Sequence, residues 1–332
     1  MKYSKKLSIW LLSLLLSFSA IAPVYALSDP PSNADTVSGF KSLAVNVGAM
    51  ITAVLADPSY NIGPSMLYNF FTAFLIIWTA FLFIFRGLEL VNVISTLLLI
   101  LFTKALMVNF DVLTSAVWDF GNAFAASIQV AALGGTGDVF FAPDLITQLV
   151  LSTDWTAASG SGGVLSALLT AVEQGMAAIV MFIVAGILSI LAYVASVWAL
   201  WGYAIAKLVG LLFLPTLLYE RLSWFFDGWL RFFFGFIVYV IIARVNLVLL
   251  VIAFASYLGL SIPLTTLTPS AYSFTYTSLL DMVGFATFAI VGIMALLSTG
   301  RFAAAIVGGA VGSGAGASLS RFARILAVAA LA

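Results

Sequence analysis

Residues 198–244 read WALWGYAIAKLVGLLFLPTLLYERLSWFFDGWLRFFFGFIVYVIIAR, and the segments on both sides are long enough to cross a bilayer. The chain has 13 basic and 13 acidic residues, and this stretch holds six of them: Lys207, Glu220, Arg221, Asp227, Arg231 and Arg244. A charge at or near the hydrocarbon layer is costly, so an ordered cluster of charges needs a reason. Membrane topology, substrate passage and docking of a partner protein are three such reasons.

The composition of the whole chain indicates a membrane protein. Of its 332 residues, 63% are hydrophobic and 8% are charged, whereas soluble domains carry roughly a quarter charged residues. We therefore expect an all-α, polytopic helical membrane protein. The formal net charge is zero, which implies no nucleic-acid-binding surface. The chain has no cysteine and no histidine, which excludes thiol catalysis and a histidine-based triad and removes most zinc, haem and copper sites.

The N-terminus has the pattern of a cleavable signal peptide over residues 1–26. A basic region precedes the apolar core 7–18, and it consists of Lys2, Lys5 and Lys6. Val24-Tyr25-Ala26 then places small or branched residues at the expected cleavage site. An uncleaved first membrane helix is the alternative. In both cases the lysines hold the extreme N-terminus in the cytoplasm, which makes a bacterial inner membrane the natural setting.

Residues 27–65 are then expected to lie in the periplasm, as the N-terminal segment of the mature protein. Within them, apolar residues recur at helical spacing over residues 40–55. This spacing predicts a periplasmic or interfacial helix.

Five later segments are apolar and long enough to span a bilayer: 66–85, 88–108, 176–200, 232–260 and 283–298. The first two form a predicted transmembrane hairpin over residues 66–108, and the last three lie in a predicted transmembrane core over residues 176–300. The region between them, residues 109–175, contains two glycine-rich runs and no lysine or arginine. A segment without positive charge is typical of the outer side of a membrane, so this region is predicted to be a periplasmic loop.

Residues 202–218 decide how many times the chain crosses. If they span the membrane, Arg221 and Arg231 lie outside, together with the arginines of the C-terminal tail. If they form a re-entrant or interfacial segment broken at Pro215, both arginines stay in the cytoplasm and every loop satisfies the positive-inside rule. We therefore predict five spans, a periplasmic N-terminus and a cytoplasmic, small-residue-rich tail over residues 301–332. Six spans are the alternative.

Residues 220–233 predict an amphipathic helix. Its polar face carries Trp224, Asp227 and Arg231, and its apolar face carries Trp229. One interpretation is an anchor that lies in the membrane interface, with tryptophan at the headgroups. The other is a docking surface for a cytoplasmic or membrane partner.

Two further cations fall in apolar surroundings. Lys207 is expected to snorkel toward the interface, while Gly210 and Pro215 supply the irregular backbone of the predicted re-entrant segment. Arg244 lies about 20 Å along a helix from Arg231, near the middle of the bilayer, so it should face protein or water. A structural pair and a role in a pore or in coupling are both compatible with that position.

Taken together, these features resemble the polytopic inner-membrane subunit of bacterial type IV secretion and conjugation systems, the TrbL-like family. The signal-like start, the glycine-rich central loop and the small-residue region 303–318 match, as do the stretch from Lys207-Leu208-Val209-Gly210 through Pro215 and the run Phe225-Phe226-Asp227-Gly228-Trp229-Leu230. Trp229, in F-x-x-W-L, is the most family-like position. The resemblance covers roughly residues 30–318 and implies a structural or channel role in moving DNA or protein and in pilus assembly, with no cofactor.

The resemblance also implies partners. These are inner-membrane, pilin and cytoplasmic ATPase subunits of the secretion system, the lipid bilayer, further copies of the chain, and transiently the translocated DNA or protein. The residues themselves show no catalytic constellation, so no enzyme is expected. A stand-alone secondary transporter or ion channel is the alternative function, although the chain has no convincing inverted repeat and Arg244 is its only deep charge.

Overall fold

The computed structural model describes residues 36–86, 90–151, 164–260 and 279–310, and these residues contain helices and no strand. The predictions for the signal peptide 1–26 and for most of the tail 301–332 fall outside these ranges. The α-helices are α1 (Thr36–Ala56), α2 (Pro58–Arg86), α3 (Leu90–Val108), α4 (Phe110–Leu133), α5 (Phe141–Leu151), α6 (Val164–Phe213), α7 (Ser223–Tyr257) and α8 (Leu279–Ala310). Two 3-10 helices, Leu214–Leu218 and Glu220–Leu222, join α6 to α7. All contacts below lie in the compact unit that begins at Phe40.

Six of the described helical stretches are long and apolar enough to cross a membrane: Ser38–Ala56, Pro58–Phe85, Leu90–Val108, Ile183–Leu218, Glu220–Tyr257 and Val283–Gly308. Five of them overlap the five spans expected from the sequence. The sixth is α1, which the sequence predicts as a periplasmic or interfacial helix. It is the least apolar of the six, since polar residues interrupt its apolar positions, and this is why a search for uninterrupted apolar runs passes over it.

Residues 109–175, predicted as a periplasmic loop, are helical over most of their described length, because α4, α5 and the start of α6 lie in them. Gly134 and Gly135 do form a turn after α4, and both have a positive φ, of 73° and 74°. Gly121, within α4, serves helix packing instead, because a Cβ atom there would lie 2.6 Å from the side chain of Ile237 in α7. The second glycine-rich run, residues 159–163, lies outside the described residues.

The segments on both sides of Pro215 also differ from prediction. Residues 202–213 are not a separate re-entrant segment but the continuation of α6, which ends at Phe213. Pro215 lies in the first turn of the following 3-10 helix, where its fixed φ and missing N–H are tolerated. Residues 223–233 are the start of the 35-residue α7 and not an independent interfacial helix. Likewise α8 continues to Ala310, so the predicted tail begins as a helix.

Two junctions join helices that run in the same direction. Between α3 and α4, helical hydrogen bonds continue across Asn109, whose N–H donates to Ala105 O at 3.0 Å and whose carbonyl accepts from Leu113 N at 2.9 Å. Only Asp57 separates α1 from α2. These two helices run parallel to α6 and the turn after it. Successive contacts show this: Phe40 with Tyr193, Tyr60 with Leu208 and Phe71 with Tyr219.

Helices α4, α6 and α8 surround α7. Three contacts show that α4 runs in the same direction as α7: Phe110 with Trp229, Gly121 with Ile237, and Gly137 with Arg244. The partners in α7 cover about 22 Å of its length at 1.5 Å per residue. Residues 110–137, the start of the predicted periplasmic loop, therefore lie alongside α7 over this length.

The buried apolar residues form two clusters along α7. In the first cluster, buried residues of α7 between Phe226 and Ala243 pack with the C-terminal part of α6 and the start of α4. In the second cluster, buried residues of α7 between Leu247 and Ala255 pack with α5, α8 and the preceding part of α6. Arg244 lies at the boundary between the two clusters, and so does Ser196 of α6.

Candidate functional site

The end of α6 and the starts of α4 and α7 meet around Trp229, at what we call the joint (Phe110, Asp111, Lys207, Gly210 and Trp229). The indole of Trp229 is buried, and its Nε1 donates a hydrogen bond to Ala206 O at 2.7 Å. The ring of Phe110 lies 5.7 Å from the Trp229 ring, centroid to centroid. A buried tryptophan with a satisfied N–H fixes both the spacing and the rotation of the helices that it joins.

Gly210 makes this packing possible. A Cβ atom at Gly210 would lie 2.5 Å from the indole of Trp229 and 2.6 Å from Cζ of Phe110. The prediction that Gly210 supplies irregular backbone is therefore wrong, since it lies inside α6 and is needed for close approach of two aromatic rings.

Lys207 is enclosed in the joint and does not snorkel as predicted. It is 5% exposed, and its Nζ lies 2.6 Å from Oδ1 of Asp111 and 2.7 Å from Oγ of Ser115. The ammonium also lies 5.5 Å from the ring centroid of Tyr203. A buried ammonium is tolerated when it is paired and hydrogen-bonded, and these three groups supply both. The side chain of Asp111 is 65% exposed, so the ion pair is open to the surroundings on one side.

The 3-10 turn after α6 is covered by α2. All five residues Leu214–Leu218, including Pro215, are buried. Tyr219 contacts Phe71 and Phe74 of α2, with ring centroids 6.4 and 5.7 Å apart. The hydroxyl of Tyr60 donates to the carbonyl oxygen of Leu208. Pro215 therefore belongs to a packed turn and is not available as a docking residue.

A rim of exposed side chains surrounds the joint. Arg221 and Arg231 are exposed, and Trp224 is 61% exposed with its ring stacked on Phe225 at 3.7 Å. Asp227 differs from its predicted place on the polar face of the helix, since it is 9% exposed. Its neighbours Phe226 and Trp229 in the same part of α7 are buried as well.

Arg244 is the second buried cation, and its surroundings are different. It is 5% exposed, and its Nη1 donates to Gly137 O at 3.0 Å. The guanidinium borders a cavity of about 100 Å³, whose lining includes the polar side chains of Asn122 and Ser196. The neighbouring Asn246 faces α8 instead, where its Nδ2 donates to Thr299 Oγ1 at 2.9 Å.

Gln129 holds the backbone that contacts Arg244. Its side chain is fully buried, and its Nε2 donates to Thr136 O at 2.9 Å and to Asp138 O at 2.8 Å. These two bonds fix the turn on both sides of Gly137, whose carbonyl accepts from Arg244. A buried amide with two backbone partners keeps this carbonyl oriented toward the guanidinium.

Sequence reasoning missed the partners of both cations. Ser115 lies 92 positions from Lys207 in the chain, and Gly137 lies 107 positions from Arg244. Asp111 counted only as one acidic residue of a loop. The available signal was weak, namely an aspartate in the first turn of an apolar helix that follows another apolar helix.

The described residues thus contain six helical stretches that are long and apolar enough to cross a membrane, and their core holds two buried cations with different partners. No group of three or more metal-binding side chains occurs in the described part of the chain. No protein-family model matches the chain, and no curated protein matches it.

Proposed function

We propose that this chain is a non-enzymatic structural or channel subunit of a type IV secretion (conjugation) complex in a bacterial inner membrane, where it supports translocation of DNA or protein and assembly of the pilus. One observation carries the proposal. The two sequence runs that resemble the TrbL-like family, 207–215 and 225–230, pack on each other, with Trp229 against Gly210. Sequence motifs that characterise a family are expected to form a common structural element, and these two runs meet in the joint.

The direction of the helices supports five crossings, although six helices are apolar enough to span. Helices α1 and α2 run in tandem, as do α3 and α4, so each pair counts as one crossing. Helices α6, α7 and α8 add three. An odd number of crossings puts the periplasmic N-terminus and the C-terminal tail on opposite sides.

The charges support the cytoplasmic side for the joint. Its rim carries Arg221 and Arg231 with one exposed acid, Glu220, whereas the opposite end of the bundle carries Asp138 and Asp144 with one lysine, Lys41. Cytoplasmic segments are enriched in arginine and lysine, so the joint lies nearer the cytoplasm than the turn that contains Gly137.

The exposed surfaces fit an assembly subunit. In the most apolar stretch of α2 and of α3, 6% of the residues are buried, compared with 44% in the corresponding stretches of α6 and α7. Lipid and neighbouring subunits, further copies of the chain among them, cover these apolar surfaces. The rim of Arg221, Trp224 and Arg231 docks a cytoplasmic ATPase or a small membrane subunit, and the substrate makes transient contact near the periplasmic turns.

Purification with the native neighbours tests the proposal. We expect the wild-type chain to co-purify with secretion subunits and the Arg221→Glu/Arg231→Glu variant to lose the cytoplasmic ones and to transfer substrate poorly. Gly228→Ala is the matched control, because no atom lies within 4 Å of the position of the added Cβ. A wild-type chain that purifies as a monodisperse monomer without any secretion subunit contradicts the proposal.

A stand-alone secondary transporter or ion channel is the second candidate, and the cavity beside Arg244 is the observation that favours it. Transport sites are typically polar and lie near the middle of the bilayer. Loss of solute uptake in an Arg244→Ala variant that still supports secretion supports this second function. Normal uptake in that variant removes it.

A further inference from the structure

Arg244 carries a buried charge that forms no direct ion pair, and the exposed carboxylate of Asp138 attracts it only from a longer distance. Two ion pairs occur among the described residues, Lys41–Asp144 and Lys207–Asp111, and neither includes Arg244. A guanidinium does not lose its proton in proteins, so it cannot become neutral as a buried lysine can. An isolated buried charge is strongly destabilising, and one backbone carbonyl offsets only part of that cost.

The cavity beside Arg244 is the place where the missing partner fits. Arg244 has five N–H donors, and a single side-chain hydrogen bond, from Nη1 to Gly137 O, satisfies one of them. The cavity has a volume of about 100 Å³. A cavity needs only about 10–15 Å³ by this measure to hold a water molecule, so the space is large enough for a small ion together with water.

The other walls suit an anion. Asn122 supplies an amide N–H₂, and Trp118, Leu200 and Val240 are among the apolar groups around it. Ser196 also lines the cavity, but its hydroxyl already donates to Ala192 O at 3.2 Å. The lining contains no carboxylate that would repel an anion, since Asp138, which attracts Arg244 from a distance, is exposed and does not line the cavity.

We propose that this cavity binds one small monovalent anion, of the size of chloride or formate, with Arg244 as its principal ligand and Asn122 as a neutral hydrogen-bond donor. The anion neutralises the guanidinium at the boundary between the two apolar clusters. The inference concerns the core of the fold and does not depend on a role in secretion.

Thermal unfolding of the purified protein in detergent tests the site, with sodium chloride, sodium formate and sodium gluconate compared at equal ionic strength. Chloride and formate are expected to raise the Tm in a saturable manner, because a ligand that binds the folded state stabilises it. Gluconate, a six-carbon polyhydroxy carboxylate, is much bulkier and more strongly hydrated than chloride or formate and is expected to leave the Tm unchanged. Equal Tm values in all three salts overturn the proposal and leave the cavity to water.

Two variants and a direct measurement separate ligand binding from folding. Arg244→Met is expected to abolish the chloride-dependent rise in Tm, whereas Arg231→Met, at an exposed arginine of the same helix, retains it. Radioactive chloride at equilibrium is expected to bind once per wild-type chain. If Arg244→Met does not fold, Asn122→Leu serves instead, with chloride binding weakened by roughly tenfold for one lost hydrogen bond. Unchanged chloride binding in Arg244→Met or in Asn122→Leu refutes the assignment.

Discussion

Lys207 and Arg244 are equally buried, at 5% exposure each, but the protein treats them differently. Lys207 in the joint has a carboxylate at 2.6 Å, a hydroxyl at 2.7 Å and an aromatic face. Arg244 has one carbonyl and a cavity. The comparison indicates that the partners of Lys207 within the joint satisfy its charge and fix the helices there, whereas the surroundings of Arg244 have room for a ligand.

The largest expected effect tests whether the joint is the anchor. Trp229→Ala removes a buried ring and its hydrogen bond to Ala206, so we expect the free energy of unfolding to fall by about 3–5 kcal/mol. Trp224→Ala, at an exposed ring five residues before Trp229 in α7, is expected to change it by less than about 0.5 kcal/mol. Unfolding in detergent measures both, and equal losses contradict the special role of Trp229.

Two glycine substitutions are expected to act in opposite directions. Gly210→Ala pushes a methyl group into Trp229 and Phe110 and is expected to destabilise by about 1–3 kcal/mol. Gly228→Ala meets no atom within 4 Å and is expected to stabilise α7 by about 0.5–1 kcal/mol, since alanine is the better helix former. A Tm that rises in both variants contradicts the close packing of Gly210 against Trp229 and Phe110.

The ion pair of the joint is expected to respond asymmetrically. Asp111→Asn leaves Lys207 buried with reduced compensation and is expected to cost about 1–2 kcal/mol, a value lowered by the exposure of Asp111. Lys207→Met leaves a carboxylate that water can solvate and is expected to cost less. A double-mutant cycle by thermal unfolding measures the coupling. Equal costs for the two single variants show that water already reaches Lys207.

The smallest effect comes from a carboxylate outside both regions. Asp57 Oδ1 accepts hydrogen bonds from the hydroxyl and the N–H of Ser59, at 2.6 and 2.8 Å, and these bonds lower the pKa of Asp57. Because the pKa is lower in the folded state, the stabilisation is present above the unfolded-state pKa and is lost as pH falls through the folded-state value. Amide hydrogen exchange at the start of α2 measures it. Asp57→Ala is expected to raise that exchange at neutral pH and to leave exchange in the joint unchanged.

The membrane class and most helices could be predicted from the sequence, because an apolar run of about 20 residues signals a span without reference to distant residues. Pro215 also marks the end of α6 closely, since proline acts on the backbone locally. The helical character of α4 could not be predicted, because the glycine-rich runs and the absence of positive charge indicated a loop, whereas Gly121 serves as a close-packing position in the helix bundle. Residues 202–213 were misread for a related reason, as Gly210 and Lys207 look irregular until their neighbours are known.

The sequence by itself determined that this chain is a helical membrane protein with a concentration of charge around Trp229, and that Arg244 must lie against protein or water. These conclusions follow from transfer free energies, which depend on residue type and run length alone. Only the tertiary structure decided which charges are compensated. Asp111 reaches Lys207, while Arg244 meets a carbonyl and a cavity, because contacts between residues about 100 positions apart depend on how the helices align and not on any local pattern.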